Sequence, residues 1–380
     1  MQPRRPRLSP AIADVRRAVR EGLAGAFPDA AARDGAEASG PLVLVALSGG
    51  PDSLALAAAT AFEAPRAGIR AGVVIVDHAL QEASADVAAE AARQARELGL
   101  HPVIVTRVTV GDTGGPEAAA RDARYRALGA AATDAGAAAI LLGHTLDDQA
   151  ETVLLGLARG SGPTSLAGMA PVTVRELPQS AAPAANEAHL EATHGAIVFL
   201  RPLLGIRRET TVQACVDADL TAWRDPHNDD ESFTRVRVRR GVLPLLEREL
   251  GPGVAEALAR TAEQLREDTE ALDHFAQEQI EELAEPAEAG LSLPVGALEA
   301  NPPALRQRLI RLAVSSEFGL SLSRLHTLEV ARLVTDWHGQ GPLQLPGVRV
   351  ERQGRLIVFS AADVPADVPA HAPTAAPAAE

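Results

Sequence analysis

The chain has 380 residues, 46% of them hydrophobic, so it is long enough for two domains with ordinary cores. No apolar run reaches the ~18 residues of a membrane helix, and the basic N-terminus lacks the apolar core of a secretion signal. The single cysteine, Cys215, excludes an internal disulfide and a zinc site with paired cysteines. Since all 36 basic residues are arginine, Schiff-base and P-loop lysines are also excluded. These features predict a cytoplasmic protein without a membrane segment.

The net charge of −14 argues against a surface that binds nucleic acid generally. The charge is unevenly distributed, however, because acidic residues concentrate in 261–290 whereas arginines cluster at 235–240 and 304–311. Local basic patches on an acidic protein can still bind a structured polyanion. Net charge therefore leaves a nucleic-acid partner open.

Strand and helix signals alternate through the first two thirds of the chain. A helix is predicted over 9–27, followed by a polar linker over 28–40. Continuous apolar runs then alternate with helical segments; the strands are predicted at 42–47, 72–80, 102–108, 138–144 and 196–204, and the helices at 53–64, 83–98 and 116–135. This order predicts an α/β fold with a doubly wound parallel sheet, in which ligands bind beyond the carboxyl ends of the strands.

The remaining segments predict the domain organisation. Residues 175–195 are polar and aperiodic, which predicts a flexible loop between two strands. From about 241 the pattern becomes helical, with two short strands at 343–351 and 355–359. We therefore expect an N-terminal helix and linker over 1–40, an α/β domain over 41–240, a second and mostly α-helical domain over 241–360, and a disordered tail over 361–380.

The turn 48-SGGPDS-53 joins the first strand to its helix. Its glycines allow backbone N–H groups to approach a ligand, and the helix N-terminus adds a positive dipole end. We expect a phosphate cradle formed by Ser48, Gly49, Gly50, Pro51, Asp52 and Ser53. An acid in an anion site requires a cation, so Asp52 is predicted to bind Mg²⁺ between itself and nucleotide phosphates. The alternative is a plain turn with Asp52 or Ser53 as the helix cap.

A strand, SGGPDS and a helix in this order resemble the PP-loop of the N-type ATP pyrophosphatases, whose motif is SGGxDS. The resemblance implies an adenine nucleotide alpha hydrolase-like fold over 41–240. It also implies an enzyme that cleaves ATP between its α- and β-phosphates and adenylates an acceptor oxygen. ATP and Mg²⁺ are the cofactors that it implies.

Two further stretches extend the resemblance towards the tRNA(Ile)-lysidine synthase family. The segment 74-VIVDHALQEAS-84 resembles VDHGLR, with Ala79 and Gln81 as departures, and implies that Asp77 and His78 contact ATP. The segment 120-ARDARYRAL-128 resembles ARxxRY. Arg121 and Arg124 share one helical face, so they are candidates to hold phosphates; the alternative is two solvated arginines.

The segment 142-LGHTLDDQAETVLLGLARGSG-162 resembles the family pattern HxxDDQxET followed by RGSG. Asp148 and Glu151 share one helical face, and such a pair suits a metal or the ammonium of an amine. Alone, these residues would also fit an acid-rich helix start. The resemblance implies that Asp148 and Glu151 recognise lysine, and that His144 and Asp147 line the nucleotide and cytidine pocket. It places Asp52, His144, Asp147, Arg121 and Arg124 in catalysis.

Two arginine-rich stretches complete the resemblance. The segment 200-LRPLLGIRRE-209 resembles RPLL…R, and 223–246 resembles W…D.SN.D..Y.RNRIR…LP, with Phe233 and Val236 replacing Tyr and Asn. The implied tRNA-binding residues are Arg201, Arg207, Arg235, Arg237, Arg239 and Arg240. The implied partners are L-lysine and tRNA(Ile) with a CAU anticodon, with no membrane and with a possible homodimer. The implied reaction ligates lysine to carbon 2 of the wobble cytidine.

Other members of the superfamily remain as alternatives. A tRNA thiolase needs cysteines that carry sulfur, and this chain has one. A glutamine-dependent synthetase needs an amidotransferase nucleophile, which the sequence does not offer. A nucleotide-binding sensor would retain the phosphate turn but would not need the Asp148 and Glu151 pair.

Overall fold

The computed structural model describes residues 8–30, 40–77, 84–108, 116–176, 196–287 and 289–362. His78, most of the predicted 28–40 linker and 175–195 loop, and nearly all of the predicted tail lie outside these described residues. Two compact units divide the chain, Met1–Arg266 and Glu267–Glu380. No helix among the described residues is long and apolar enough to cross a membrane.

The first unit alternates strands and helices in the predicted order. Its elements are α1 (Pro10–Ala26), β1 (Leu42–Ala46), α2 (Pro51–Glu63), β2 (Arg70–Asp77), α3 (Ser84–Glu97), β3 (Val103–Arg107), α4 (Pro116–Ala135), β4 (Ala137–Leu141), α5 (Leu146–Ala158), α6 (Pro163–Leu166), β5 (Val172–Glu176), β6 (Ala196–Leu200), α7 (Arg208–Asp217), α8 (Thr234–Arg237) and α9 (Leu243–Leu250). A π-helical turn, Val238–Val242, joins α8 to α9, and α10 (Val254–Leu283) begins in this unit.

Six strands form one sheet in the order β3-β2-β1-β4-β6-β5, and all neighbours are parallel except β5 with β6. Alternate side chains of β1 enter two separate cores. Val43 and Val45 pack with α1, α2, α3 and α7, whereas Leu42 and Leu44 pack with α4. Helices therefore cover both faces, which confirms the predicted doubly wound α/β fold. The antiparallel edge strand β5 was not predicted.

The strand order reverses between β1 and β4. The chain runs outward from β1 to β2 and β3, then returns through α4 to place β4 on the other side of β1. The segments that follow β1 and β4 are therefore neighbours at the carboxyl edge of the sheet. Gly143 lies against the SGGPDS turn so closely that a Cβ there would be 3.0 Å from the Ser53 nitrogen. Ligands of doubly wound sheets bind at such a switch point.

The second unit contains helices, as the sequence predicts, and a sheet with more strands than the two that the sequence predicts. Beyond the end of α10 its elements are β7 (Glu285–Ala287), β8 (Gly290–Pro294), α11 (Val295–Ala300), α12 (Pro303–Phe318), α13 (Arg324–Thr335), β9 (Leu343–Leu345), β10 (Val348–Gln353) and β11 (Leu356–Ala361). The five strands pair antiparallel in the order β7-β8-β11-β10-β9. The β7–β8 hairpin was missed because its segment, EPAEAGLSLP, has weak strand propensity. Strand β8 is extended because it pairs with β11.

We predict that Gly143→Ala destabilises the first unit. The new Cβ would lie 3.0 Å from the Ser53 nitrogen and 3.1 Å from the Asp52 carbonyl carbon, and these backbone atoms cannot rotate away. Overpacking of this kind should lower the free energy of unfolding by about 1–3 kcal/mol in denaturant titration. Gly25→Ala is the matched control, since a Cβ on this residue of α1 has nothing within 4 Å. Equal stability of the two variants would contradict the close packing.

Candidate active site

The SGGPDS turn is held in shape by its own serines. The Ser53 hydroxyl accepts a hydrogen bond from the Ser48 amide at 3.1 Å and donates to the Gly50 carbonyl at 3.0 Å. Gly49 has a φ of +82°, which favours glycine. Gly50 is the cap residue of α2, so neither Asp52 nor Ser53 caps this helix. The first N–H groups of α2 are the type of donor that binds phosphate.

The segment before α8 is tied to this turn. The Trp223 amide donates to the Gly49 carbonyl at 2.9 Å. Two residues earlier, Thr221 exchanges two hydrogen bonds with the Gln94 side chain of α3, at 3.0 and 3.1 Å. These bonds bring the sequence stretch that begins at Trp223 to the phosphate-binding turn.

Asp148 uses its two carboxylate oxygens differently. Its Oδ2 accepts hydrogen bonds from the amide and the hydroxyl of Thr145, both at 2.8 Å, and so caps the start of α5. Its Oδ1 instead faces Arg208, at 2.7 Å from Nη2. One oxygen therefore has a structural role while the other remains available to a cationic partner.

Asp52 points away from its own turn towards α7. Thr211 donates its hydroxyl to Asp52 Oδ1, and Arg208 Nε donates to Oδ2 at 3.3 Å. Burial raises the pKa of Asp52 above its ordinary value, and the nearby Arg208 and Thr211 offset only part of this shift. The predicted magnesium ligand thus lies in an environment that favours a cation beside it.

Arg208, at the first turn of α7, joins the phosphate-binding turn to α5. Besides its bonds to Asp52 and Asp148, its Nη1 lies 3.2 Å from Glu151 Oε1. The Arg208 amide also donates to Asp147 Oδ2 at 2.8 Å. The carboxylates outweigh burial and raise the pKa of Arg208 above its usual value. For Asp148, Arg208 and the Thr145 amide outweigh burial and lower the pKa.

Two further arginines reach Glu151, whose side chain is fully buried with 0% exposure. Arg239 forms a fork on it, with Nε at 2.7 Å from Oε1 and Nη2 at 3.2 Å from Oε2. Arg235 Nε lies 3.2 Å from Oε2, while its Nη2 donates to Thr152 at 2.7 Å. A small apolar cluster positions them, since Leu146 and Ala150 of α5 pack with Val238 and Leu243.

A second cluster surrounds His144 and is rich in arginine. Burial lowers the pKa of His144 to about 3, with Arg201 and Arg124 acting in the same direction and Asp148 opposing them. The imidazole is therefore neutral near pH 7, and its buried Nδ1 has no hydrogen-bond partner among the described residues.

Buried Arg201 donates to Ala170 and Thr173, whereas Arg121 is exposed. Arginines on Tyr125 outweigh its burial and lower the phenol pKa.

The other predicted residues lie apart from these clusters or at their margin. Asp77 is buried at the end of β2 and pairs with Arg107 at 3.1 Å. Arg237 and Arg240 are exposed, with partners in the Asp229–Thr234 segment. Arg207 lies 3.6 Å from both Asp147 and Glu256. Within the described ranges, no group of three His, Cys, Asp or Glu residues is placed to hold a metal.

Comparison with known proteins identifies the family. A model of the PP-loop domain matches residues 30–246, and a model of the TilS substrate binding domain matches residues 293–356. The tRNA(Ile)-lysidine synthase of Leifsonia xyli is 62% identical over 85% of this chain and 90% of its own length. The chain belongs to the tRNA(Ile)-lysidine synthase family.

Two further lysidine synthases support this membership. The tRNA(Ile)-lysidine synthase of Streptomyces coelicolor is 52% identical over 84% of this chain and 85% of its own. That of Thermobifida fusca is 48% identical over 92% of this chain and 98% of its own. Among solved structures, a U34-tRNA thiolase of Methanococcus maripaludis is similar over 68% of this chain and 80% of that chain, with 18% identity and a TM-score of 0.49.

The cation at the centre of the site is Arg208, which the sequence did not single out; the resemblance implied a tRNA-binding role for the adjacent Arg207. The motif RPLL…R fits either of two adjacent arginines. Helical spacing could have identified Arg208 as the inward-facing arginine. Thr211 and Cys215 lie on the buried face of α7, and Arg208 precedes Thr211 by three residues. Val236, which replaces the family Asn, is buried, whereas Phe233 is 39% exposed.

We predict that His144 makes stability depend on pH. The unfolded histidine has its ordinary pKa near 6.5, so between that pH and about 3 the unfolded chain binds a proton that the folded chain does not. The free energy of unfolding should therefore decrease as the pH is lowered. When the pH is lowered from 7.5 to 5.5, the free energy of unfolding of the wild type should decrease by about 1 kcal/mol more than that of His144→Gln, as measured by denaturant titration. The exposed His101→Gln serves as control; a wild-type loss no larger than that of His144→Gln would contradict the neutral imidazole.

Proposed function

We propose that this chain is an ATP-dependent ligase that joins lysine to carbon 2 of the wobble cytidine in tRNA(Ile) with a CAU anticodon. The observation that carries this proposal is the meeting of a phosphate-binding turn with the Asp148 and Glu151 pair, which Arg208 bridges at 2.7 to 3.3 Å. A ligase that activates one substrate with ATP and attacks it with an amine needs both sites side by side. Membership in the lysidine synthase family supports the choice of substrates.

The reaction has two steps. The oxygen on carbon 2 of cytidine attacks the α-phosphate of ATP, and pyrophosphate leaves towards residues 48–53. The amine of lysine then attacks carbon 2 and AMP leaves. The turn supplies fixed N–H donors where negative charge accumulates on the departing pyrophosphate, so its contribution to the rate is electrostatic.

Asp52 is the residue that would hold Mg²⁺. A single carboxylate beside a phosphate cradle fits this ion, because Mg²⁺ in nucleotide sites is bound by one or two carboxylates together with substrate phosphates. The raised pKa of Asp52, caused by burial, also fits a side chain that gains from a neighbouring cation. When bound, Mg²⁺ neutralises charge along the triphosphate.

Asp148 and Glu151 are proposed to hold an ammonium group of lysine. Asp148 Oδ1 faces the site while Oδ2 remains on Thr145, so this carboxylate is pre-oriented for a cation. Glu151 is buried and held in place by Arg239 and Arg235. A cation bound here lies next to the turn that would bind ATP, since Arg208 already contacts both.

The cluster of Arg121, Arg124, Arg201 and neutral His144 is proposed to receive the cytidine and its phosphates. A wobble base lies in an anticodon loop, so it can be inserted into a pocket without breaking a duplex. Neutral imidazole can accept or donate a hydrogen bond to a base, and the unpartnered Nδ1 of His144 supports this role. Exposed Arg237 and Arg240 are the candidates for more distant tRNA phosphates.

The alternatives lack comparable support. Burial raises the pKa of Cys215 to about 12, so this thiol is a poor nucleophile and does not favour sulfur transfer. A sensor would have no use for a buried carboxylate pair beside its phosphate site. A cytoplasmic location follows from a tRNA substrate, and a homodimer stays a prediction.

The direct test is a ligation assay. Protein, Mg-ATP, labelled lysine and a CAU-anticodon tRNA(Ile) transcript should give lysine in RNA together with equal amounts of AMP and pyrophosphate. A transcript whose wobble cytidine is replaced by uridine is the matched control and should give none. Pyrophosphate release without transfer of lysine to the tRNA would contradict the proposal, and so would the absence of pyrophosphate.

We predict that Asp148→Asn impairs the use of lysine. Asparagine keeps an oxygen for the Thr145 cap but loses the charged oxygen that faces the site. The Michaelis constant for lysine should rise at least about tenfold, which corresponds to about 1.4 kcal/mol, with a smaller change for ATP. Exposed Asp134→Asn on α4 is the control. An unchanged lysine dependence in Asp148→Asn would remove this residue from the lysine site.

A further inference from the structure

Arg208 occupies the space between three carboxylates that the proposed function gives to substrates and Mg²⁺. Its Nη2, Nη1 and Nε lie 2.7, 3.2 and 3.3 Å from Asp148, Glu151 and Asp52. We propose that Arg208 is an internal counter-ion that competes with lysine, and that ATP draws it away so that lysine binds after ATP. This inference rests on the proposed function and adds a residue and an order of binding to it.

The carboxylate oxygens that face the site are already engaged. Asp148 Oδ2 caps α5, and its Oδ1 bonds to Arg208. Both oxygens of Glu151 contact arginines, Oε1 through Arg208 and Arg239 and Oε2 through Arg235 and Arg239. An incoming ammonium, which needs acceptors for its N–H groups, can reach this pair only after a guanidinium moves.

The charges lead to the same requirement. The carboxylates of Asp52, Asp148 and Glu151 are matched by the same number of guanidinium groups, those of Arg208, Arg235 and Arg239. The cluster is formally neutral as it stands. An additional lysine cation would therefore find no uncompensated negative charge unless one arginine turns to another anion.

Arg208 is the arginine placed to make this exchange. Arg235 and Arg239 lie close in sequence to Val238, which packs against α5, and Arg235 also bonds to Thr152. Among these three arginines only Arg208 contacts Asp52 in the phosphate-binding turn. A triphosphate bound there would attract the guanidinium over a short distance, since arginine forms strong, forked bonds with phosphate. The Arg208 side chain is 21% exposed, so protein does not enclose it completely.

If one cation serves two anionic sites, the two ligands must be coupled. A nucleotide that removes Arg208 from Asp148 and Glu151 should strengthen lysine binding, and lysine should strengthen nucleotide binding by the same factor. Couplings of this kind are commonly about 5- to 150-fold. Removing the side chain should give a protein in which lysine binds without nucleotide.

The test is calorimetric titration of lysine into the full chain, with and without Mg²⁺ and the uncleavable analogue α,β-methylene-ATP. For the wild type, the analogue should tighten lysine binding about tenfold or more. Arg208→Gln should bind lysine without nucleotide more tightly than the wild type does, with a coupling factor near one. Arg207→Gln is the matched control, since Arg207 contacts neither Asp148 nor Glu151 in the structure, and it should keep the wild-type coupling.

Arg208→Lys retains the positive charge, so it provides a second test if Arg208→Gln does not fold. Lysine replaces three spread guanidinium nitrogens with one compact charge that cannot reproduce the contacts to Asp148, Glu151 and Asp52, so the coupling factor of Arg208→Lys should fall below that of the wild type. Weaker lysine binding by Arg208→Gln, with or without nucleotide, would overturn the inference and make Arg208 a fixed part of the lysine pocket. So would an uncoupled wild type or a fully coupled Arg208→Lys. Unchanged lysine binding by Asp148→Asn would instead overturn the proposed lysine site.

Discussion

Glu151 is a carboxylate with no exposed surface, and a buried charge of this kind must have cations beside it. Three arginines meet this need, from α7, α8 and the π-helical turn. Each belongs to a segment separated from Glu151 by more than 50 residues. Removing one partner from a buried ion pair commonly destabilises the folded state by about 3–5 kcal/mol. The need to pair Glu151 therefore constrains how the segments after β6 pack against α5. The position of Arg208 near Asp52 then follows from the start of α7.

The sheet supplies the second constraint. Because the strand order reverses between β1 and β4, the segments after these strands approach at one edge. Gly143 makes the approach close enough to place the SGGPDS turn against the strand end that leads to α5. A phosphate site and a carboxylate site are therefore neighbours through backbone packing, and the arginines complete a geometry that the sheet has already set.

Asp148 illustrates how one side chain serves stability and chemistry together. An acid near a helix start is favoured by the helix dipole and by capping, and Asp148 does cap α5 through Oδ2. That ordinary role orients the other oxygen towards Arg208. The structural reading of DDQAET, an acid at a helix start, therefore holds for Oδ2, while the proposed binding role concerns the other oxygen of the same residue.

Several features were predictable because they depend on local chemistry. Apolar runs bounded by glycine-rich turns predicted the strands of the first sheet, and the spacing of the DDQAET acids predicted their common face. The short strands β5, β7 and β8 were not predictable, because their segments become extended only by pairing with a neighbour. The resemblance of residues 223–246 to the family pattern implied that Arg235 and Arg239 contact tRNA, whereas the structure places both against Glu151.

The sequence by itself determined the chemical groups: a phosphate-binding turn with an acid, a pair of carboxylates on one helix, clusters of arginine and a single unreactive cysteine. The tertiary structure decided which cation faces which anion. It selected Arg208 over the adjacent Arg207, lowered the pKa of His144 to about 3 by burial, and assigned the two oxygens of Asp148 to different partners. The physical reason is that ion pairing and burial depend on distances between segments far apart in the chain, and local patterns carry no information about those distances.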